Sequence, residues 1–353
     1  MYDYQACKIV GYILIFFIFD VIFKNELNSK TMKKVLLIFV IALVAIIGGL
    51  LSYVKLLLPD VGPAPDIKVE ITPARLKRGE YLANAVCVCM DCHSKRDWTK
   101  FSGPPVVGTL GQGGEVFNQD FGFPGSFISK NITPAGIKDW SDGEIFRTIT
   151  TGVNKYGKAL FPIMPYMHYG QMDKEDLYSI IAYIRSLQPI EKANEESKPD
   201  FPMNFILNTI PSKQEMTKLP SPTDKLAYGK YMWNASGCTE CHTKQEKGKQ
   251  IPGMEMAGGF EFNLGPMGIV RSTNLTPDVE TGIGSWTEQN FLDRFHVYAD
   301  SAYVPHTVEK GAMQTVMPWV MYAKMTDEDL SAIFAYLKTL PPVKNQVEKF
   351  TAH

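Results

Sequence analysis

Two pentapeptides constrain this chain more than anything else in it: Cys89-Met90-Asp91-Cys92-His93 and Cys238-Thr239-Glu240-Cys241-His242. Two cysteines with two residues between them, followed at once by histidine, form the attachment pattern of a c-type haem. On a helical turn, sulfurs three positions apart reach the two vinyl groups of one porphyrin, and the next residue turns its imidazole to the iron. One such pentapeptide arises by chance; two in matching surroundings make a strong signal. Other uses of paired cysteines fail on spacing. A zinc ribbon sets its pairs about twenty residues apart, whereas 149 residues separate Cys89 from Cys238, and the βαβ setting of a thioredoxin-like pair is missing.

The 353 residues, 45% hydrophobic and 21% charged with net charge −1, leave room for two domains and an anchor and are not basic enough for nucleic acid. Of six cysteines, the motifs use four, leaving Cys7 and Cys87, so no disulfide framework can be built.

Residues 35–54 contain no charge. Twenty residues at ~1.5 Å each cover the ~30 Å hydrocarbon core of a bilayer. Lys33 and Lys34 precede them, which by the positive-inside rule places the rest of the chain outside the cytoplasm. A cleaved signal peptide is the competing reading, but the run is long for a signal core and no clear small-x-small site follows. Upstream, Ile9 to Phe23 is a shorter apolar run interrupted by Asp20. It reads either as a second span or as part of an over-extended reading frame that truly starts at Met32, and the second reading is favoured. The segment from Pro59 to Pro65 is a stiff linker.

Beyond the anchor the chain repeats itself. Arg78-Gly79-Glu80-Tyr81-Leu82 corresponds to Tyr228-Gly229-Lys230-Tyr231-Met232. Asn131-Ile132-Thr133-Pro134 with Trp140-Ser141-Asp142 corresponds to Asn274-Leu275-Thr276-Pro277 with Trp286-Thr287-Glu288, and residues 163–187 correspond to 316–340. Because Asn131-Ile132-Thr133 recurs, it reads as structure rather than as a glycosylation site. Thr72-Pro73 predicts a helix to about Val86, and Asp224 predicts its counterpart to about Ala235. Leu177, Ile180, Ile181 and Ile184, like Leu330, Ile333, Phe334 and Leu337, have helical spacing. Thr326 with Asp329 three residues later approximates a capping box, and Pro189 and Pro341 stop the closing helices. No long alternating strand pattern appears. Each repeat reads as a small α-helical domain folded around its haem.

His93 and His242 fill one axial position each. For the opposite position, only Met164-Pro165-Tyr166 and Met317-Pro318-Trp319 share place and neighbours in both copies, 71 and 75 residues after their histidines. Met167, Met172, Met313, Met321 and Met325 read as core or surface. His168 is the rival to Met164, although the second copy has no histidine there. His306 reads as a surface residue. Methionine opposite histidine raises the potential and leaves no vacant site. For the carbonyl that accepts the proximal imidazole's other N–H, the loops at Pro104, Pro105 and Pro252 are candidates; Trp140, Trp286, Asn131 and Asn274 are candidates for haem propionates. Cys87, opposite Ser236 in the second copy, reads as a small buried residue; the alternative pairs it with Cys92 on the haem and frees Cys89.

The two C-x-x-C-H motifs, the N-[IL]-T-P…W-[ST]-[DE] stretch and the M-P-[YW]…D-L-x-x-I-x-A-Y-L ending resemble tandem class I cytochrome c domains. The resemblance over residues 70–343 is nearest to the cytochrome c subunits of membrane-bound alcohol, aldehyde and sugar dehydrogenases and to related respiratory dihaem cytochromes. It implies that Cys89, Cys92, His93 and Met164 serve one haem c, and Cys238, Cys241, His242 and Met317 the other. The expected fold is all-α, two tandem class I cytochrome c domains following an N-terminal transmembrane helix. Its segments are 1–31 (extension or extra span), 32–58 (anchor), 59–69 (linker), 70–188 (domain 1), 189–223 (linker), 224–343 (domain 2) and 344–353 (tail).

The expected function is single-electron transfer on the periplasmic side of a bacterial inner membrane. The partners on one side are a membrane dehydrogenase or quinol-oxidising complex, and on the other a soluble cytochrome or terminal oxidase. The rivals are a dihaem enzyme of peroxidase or thiosulfate-oxidising type, which needs an iron that opens, and a haem-based sensor.

Overall fold

The computed structural model describes residues 29–246 and 248–353. The apolar run from Ile9 to Phe23 and Cys7 lie outside the described residues. The chain divides after Leu58 into two units.

The first unit holds helix α1, Ser29–Leu56, with no acidic residue in its first turn and Lys55 in its last. Among the described residues it is the one helix long and apolar enough to cross a membrane, judged by length and composition. Ile38, Val44 and Leu50 are exposed all round it. Water opposes such a surface and a hydrocarbon core accepts it.

In the second unit the sequence repeat becomes a structural one. The first copy runs α2 (Pro73–Tyr81), a π turn over Leu82–Val86, α3 (Cys89–Cys92), α4 (Asp142–Thr151), α5 (Tyr166–Tyr169) and α6 (Lys174–Ser186). The second runs α7 (Lys225–Ala235), α8 (Cys238–His242), α9 (Glu288–Ala299), α10 (Trp319–Tyr322) and α11 (Asp327–Leu337). Local chemistry sets these boundaries. The Thr72 hydroxyl accepts the Arg75 N–H at the start of α2, with proline in its first turn, and Asp224 caps α7 through the Ala227 N–H. Ser141 with Glu144, and Thr287 with Asn290, form full capping boxes on α4 and α9, which explains the W-[ST] sequence signature.

The box expected at Thr326 is only half present. The Thr326 hydroxyl accepts the Asp329 N–H, but the Asp329 carboxylate is taken by the hydroxyls of Tyr81 and Tyr228 instead.

Opening and closing helices cross at a glycine in each copy. A Cβ on Gly79 would sit 1.9 Å from the Ser179 carbonyl oxygen, and one on Gly229 would sit 2.0 Å from that of Ala332. No side chain fits there, so α2 packs on α6 and α7 on α11 at backbone contact. One hydrophobic core runs through both copies, from Leu82, Ile180 and Ile181 to Met232, Leu330 and Ile333.

The sequence reading missed short strands. β1 (Val116–Phe117), β2 (Gly125–Ile128) and β3 (Lys198–Pro199) form one small sheet. β4 (Gln245–Glu246) and β5 (Lys249–Gln250) form a hairpin. β6 (Glu261–Asn263), β7 (Ile269–Arg271) and β8 (Phe350–Thr351) repeat the first sheet in the second copy. The segments read as linker 189–223 and tail 344–353 therefore return to their own repeats. Each supplies a third strand, and the Asn131 side chain donates to the Ile190 and Lys192 carbonyls of the first return. With strands of two to four residues, no alternating pattern was long enough to show them.

The two copies exchange tyrosines across their contact. The Tyr231 hydroxyl of the second copy donates to Asp176 of the first at 2.8 Å and accepts the Asp173 N–H at 2.9 Å. The Tyr81 hydroxyl of the first copy donates to Asp329 of the second and accepts the Thr326 N–H at 3.1 Å. Asp173 and Thr326 are the N-caps of α6 and α11, so each tyrosine caps the other copy's closing helix. Arg78 completes the first cluster with two bonds of 2.8 Å to Asp176.

Candidate haem sites

Both attachment segments are single helical turns entered through a left-handed residue. Val88 has φ +44° and Gly237 φ +62°. Glycine takes that conformation freely, and valine, being β-branched, takes it under strain. The turn separates the opening helix from α3 and from α8, so that the cysteines and histidine of each motif follow a sharp change of direction. None of the four motif cysteines is in a disulfide. Burial pushes each thiol up to about 12.

The histidines are positioned alike. His93 Nδ1 meets the Lys130 carbonyl at 2.8 Å, and His242 Nδ1 meets that of Thr273 at 2.8 Å. Burial lowers the pKa of both, against a smaller opposing effect of that hydrogen bond. Each ring is thereby held neutral with Nδ1–H committed to the carbonyl, which leaves Nε2 as the donor to a metal. The backbone carbonyl of each histidine accepts from a glycine, Gly113 N–H at 2.9 Å and Gly258 N–H at 2.8 Å.

The acceptor carbonyls do not come from the loops at Pro104, Pro105 or Pro252. They belong to the residues directly before Asn131 and Asn274, and this explains the N-[IL]-T-P signature. Asn131 Oδ1 accepts the Thr133 N–H and hydroxyl at 2.9 and 2.7 Å; Asn274 Oδ1 accepts those of Thr276 at 2.9 and 2.8 Å. The Asn274 amide donates to the Val343 carbonyl and the Thr281 hydroxyl. Both asparagines are buried and spent on a turn that fixes the preceding carbonyl, rather than left to meet propionates.

Met164 and Met317 are partly buried against the shared core. Each begins the same tight turn, closed by Tyr166 N–H to the Met164 carbonyl and by Trp319 N–H to the Met317 carbonyl, both 2.8 Å. The turns lead into α5 and α10, whose last tyrosines reach back to the attachment segments. Tyr169 donates to the Cys87 carbonyl at 2.7 Å and Tyr322 to the Ser236 carbonyl at 2.6 Å. This pairing was missed at the sequence level, although the shared M-P-x-x-x-Y pattern carries it.

His168 is engaged elsewhere. Its Nδ1 meets Asn234 and its Nε2 meets Glu240, both at 2.7 Å, in the other copy. Cys87 is buried beside the Met172 sulfur at 3.8 Å, and His306 stacks on Phe101 at 5.0 Å.

These residues fit a covalently held porphyrin. Among the described residues no three of His, Cys, Asp and Glu converge to hold a bare metal ion. The buried Tyr166 hydroxyl, next to the Met164 turn, has no protein partner, as suits a wall built to face a polar group of a guest.

Known proteins with the same chemistry in their names are similar to this chain in sequence. Residues 226–341 match the family model of cytochrome c. The chain is 28% identical over 292 residues to the cytochrome c subunit of alcohol dehydrogenase (quinone) from Gluconacetobacter polyoxogenes, covering 79% of this chain and 58% of that one. It is 29% identical over 314 residues to the gluconate 2-dehydrogenase cytochrome c subunit of Pantoea cypripedii, covering 85% and 65%. A diheme cytochrome c-type protein of Cereibacter sphaeroides is 27% identical over 72% of this chain and 83% of its own. The chain thus spans about three fifths of the length of the two dehydrogenase subunits.

Proposed function

We propose that this chain, which carries a cytochrome c domain and resembles the cytochrome c subunits of quinone-dependent dehydrogenases, is a membrane-anchored dihaem electron carrier. In this reading Cys89 and Cys92 would bond one haem c, and His93 and Met164 would ligate its iron. Cys238, Cys241, His242 and Met317 hold the second. The observation that carries it is the duplication of the whole support, carbonyl to histidine and tyrosine to attachment segment, with the same partners in both copies.

Haem bound in such a site supplies a one-electron iron couple. The protein's own residues do the rest. The Lys130 and Thr273 carbonyls orient the imidazoles and raise their basicity as ligands. The thioethers of Met164 and Met317 would ligate the irons and favour the reduced state. The shared apolar core keeps water from the sites, which favours the less charged state.

Helix α1 serves as the anchor, with Lys33 and Lys34 on the cytoplasmic side and residues 59–353 in the periplasm. Tethering raises the effective concentration of the haems at a membrane dehydrogenase or quinol-oxidising complex. A net charge near zero favours brief docking on a soluble carrier or oxidase over long-range steering.

Carbon monoxide added to the reduced, detergent-solubilised chain tests the reading. No binding is expected. Rapid stoichiometric binding at one haem would instead favour the dihaem-enzyme reading. Co-purification from solubilised membranes with a dehydrogenase tests the partner.

A further inference from the structure

The turn that carries Met317 is gripped by the other copy. Ser102, fully buried in the first copy, donates its hydroxyl to the Met317 carbonyl at 2.5 Å and accepts the Trp319 N–H at 3.1 Å. Its own N–H donates to Gln314 Oε1 at 2.8 Å. Gln314 is also fully buried, and its amide donates to the Trp98 and Lys100 carbonyls at 3.1 and 2.9 Å. The two polar side chains therefore fasten residues 98–102 of one copy to residues 314–319 of the other with no buried donor wasted.

That loop is in turn tied to the first attachment segment. Arg96 donates to the Ser102 and Gly103 carbonyls at 2.9 and 2.7 Å, and pairs with Asp91, inside the first C-x-x-C-H motif, at 3.0 Å. Arg96 and Asp91 are both buried, and Ser102 sits at φ +70°, a conformation rare for serine. A backbone held in that region is over-determined by its surroundings.

The reverse contact exists as well. His168, four residues after Met164, is held by Asn234 and by Glu240, which lies inside the second C-x-x-C-H motif. Asn234 also donates to the His168 carbonyl at 3.1 Å.

We propose that Ser102 of the first copy and Gln314 of the second are positioning residues for the second haem, together fastening the Met317 turn to the first copy, with His168 in the reciprocal position for the first. Each iron's methionine is then kept in place by the copy that binds the other iron. The inference rests on Met164 and Met317 being axial ligands.

The test uses the full-length, detergent-solubilised, haem-loaded chain and reads two signals: the ferric methionine–iron charge-transfer band, and the rate at which added imidazole displaces methionine. Ser102→Gly keeps the positive φ available while deleting the hydroxyl, and Gln314→Ala is the second variant. In a Met164→Ala background, where only the second haem contributes to the band, either variant is expected to weaken it. Imidazole should then capture the second iron about tenfold faster, the effect of losing one to two hydrogen bonds. In a Met317→Ala background the same variants should leave the first haem's band and capture rate unchanged.

Equal effects on both haems, or a lower melting temperature with both capture rates unchanged, would overturn the assignment. If Met317→Ala alone leaves the band intact, the axial reading fails instead, and the two failures are told apart.

Discussion

Tyr231→Phe removes one hydroxyl and keeps the ring, which makes it a clean test of whether the two copies stand or fall together. The lost hydroxyl donates to Asp176 at 2.8 Å and accepts the Asp173 N–H at 2.9 Å. Burial first, then the nearby Asp176 charge, hold the phenol far above its ordinary range, so it stays a donor at any physiological pH. A hydrogen bond to a charged acceptor contributes ~1.5–3 kcal/mol, and one between neutral groups ~0.5–1.5 kcal/mol. Arg78 still binds Asp176 after the change, which places the expected loss at the lower end, about 2–3 kcal/mol. For a unit of this size that is a fall in melting temperature of roughly 5 °C. Tyr81→Phe removes the mirror-image pair on Asp329 and Thr326 and should cost about the same.

The assay is thermal unfolding followed both by far-ultraviolet circular dichroism and by the Soret band. Wild type should unfold in one transition. The double variant should broaden or split it, because the bonds that cap each closing helix come from the opposite copy. Should either single variant melt within about 1 °C of wild type, or should wild type already melt in two steps, the coupling argued here is wrong.

Asn131→Ala or Asn274→Ala deletes a buried turn-former with four hydrogen bonds. Each should cost ~2–4 kcal/mol by denaturant titration, and only the matching haem's potential should fall. Gly79→Ala or Gly229→Ala places a methyl within 1.9–2.0 Å of a carbonyl oxygen; forcing the crossing helices apart should cost ~1–3 kcal/mol or more, read as a lower melting temperature. Burial works against protonating His168, but its hydrogen bonds to Glu240 and Asn234 and the Glu240 charge outweigh that and raise its pKa. The stability it adds is therefore complete below the ordinary histidine value of about 6.5 and is lost as pH rises through the raised value. The denaturation midpoint measured from about pH 5 to pH 9 should fall less steeply with pH in His168→Gln than in wild type.

What was legible in the sequence follows a physical line. Cys89, Cys92, His93 and their counterparts announce themselves because covalent attachment demands fixed spacing. The helices at Pro73, Asp224 and Thr326 show through caps and through apolar spacing of three and four. Met164 and Met317 stood out only because the chain is duplicated and sixteen methionines could be sorted by shared neighbours. The Lys130 and Thr273 carbonyls were invisible as side chains, since backbone atoms leave no residue-type signature, although the asparagine after each one marked the place. Ser102 and Gln314 gave no signal. They lie 212 residues apart, and only the folded contact between copies brings them together. The capping box at Thr326 misled for a related reason: Asp329 has the right spacing, but two tyrosine hydroxyls compete for its carboxylate.

The central claim is that this one chain carries two covalently held haems. Intact-mass measurement after acid–acetone extraction, followed by peptide mapping, tests it most directly. The account predicts a mass raised by two haem groups, one on the peptide with Cys89 and Cys92 and one on the peptide with Cys238 and Cys241. A chain that loses all its colour to the solvent, or that carries a single haem on one of the two peptides, would contradict it.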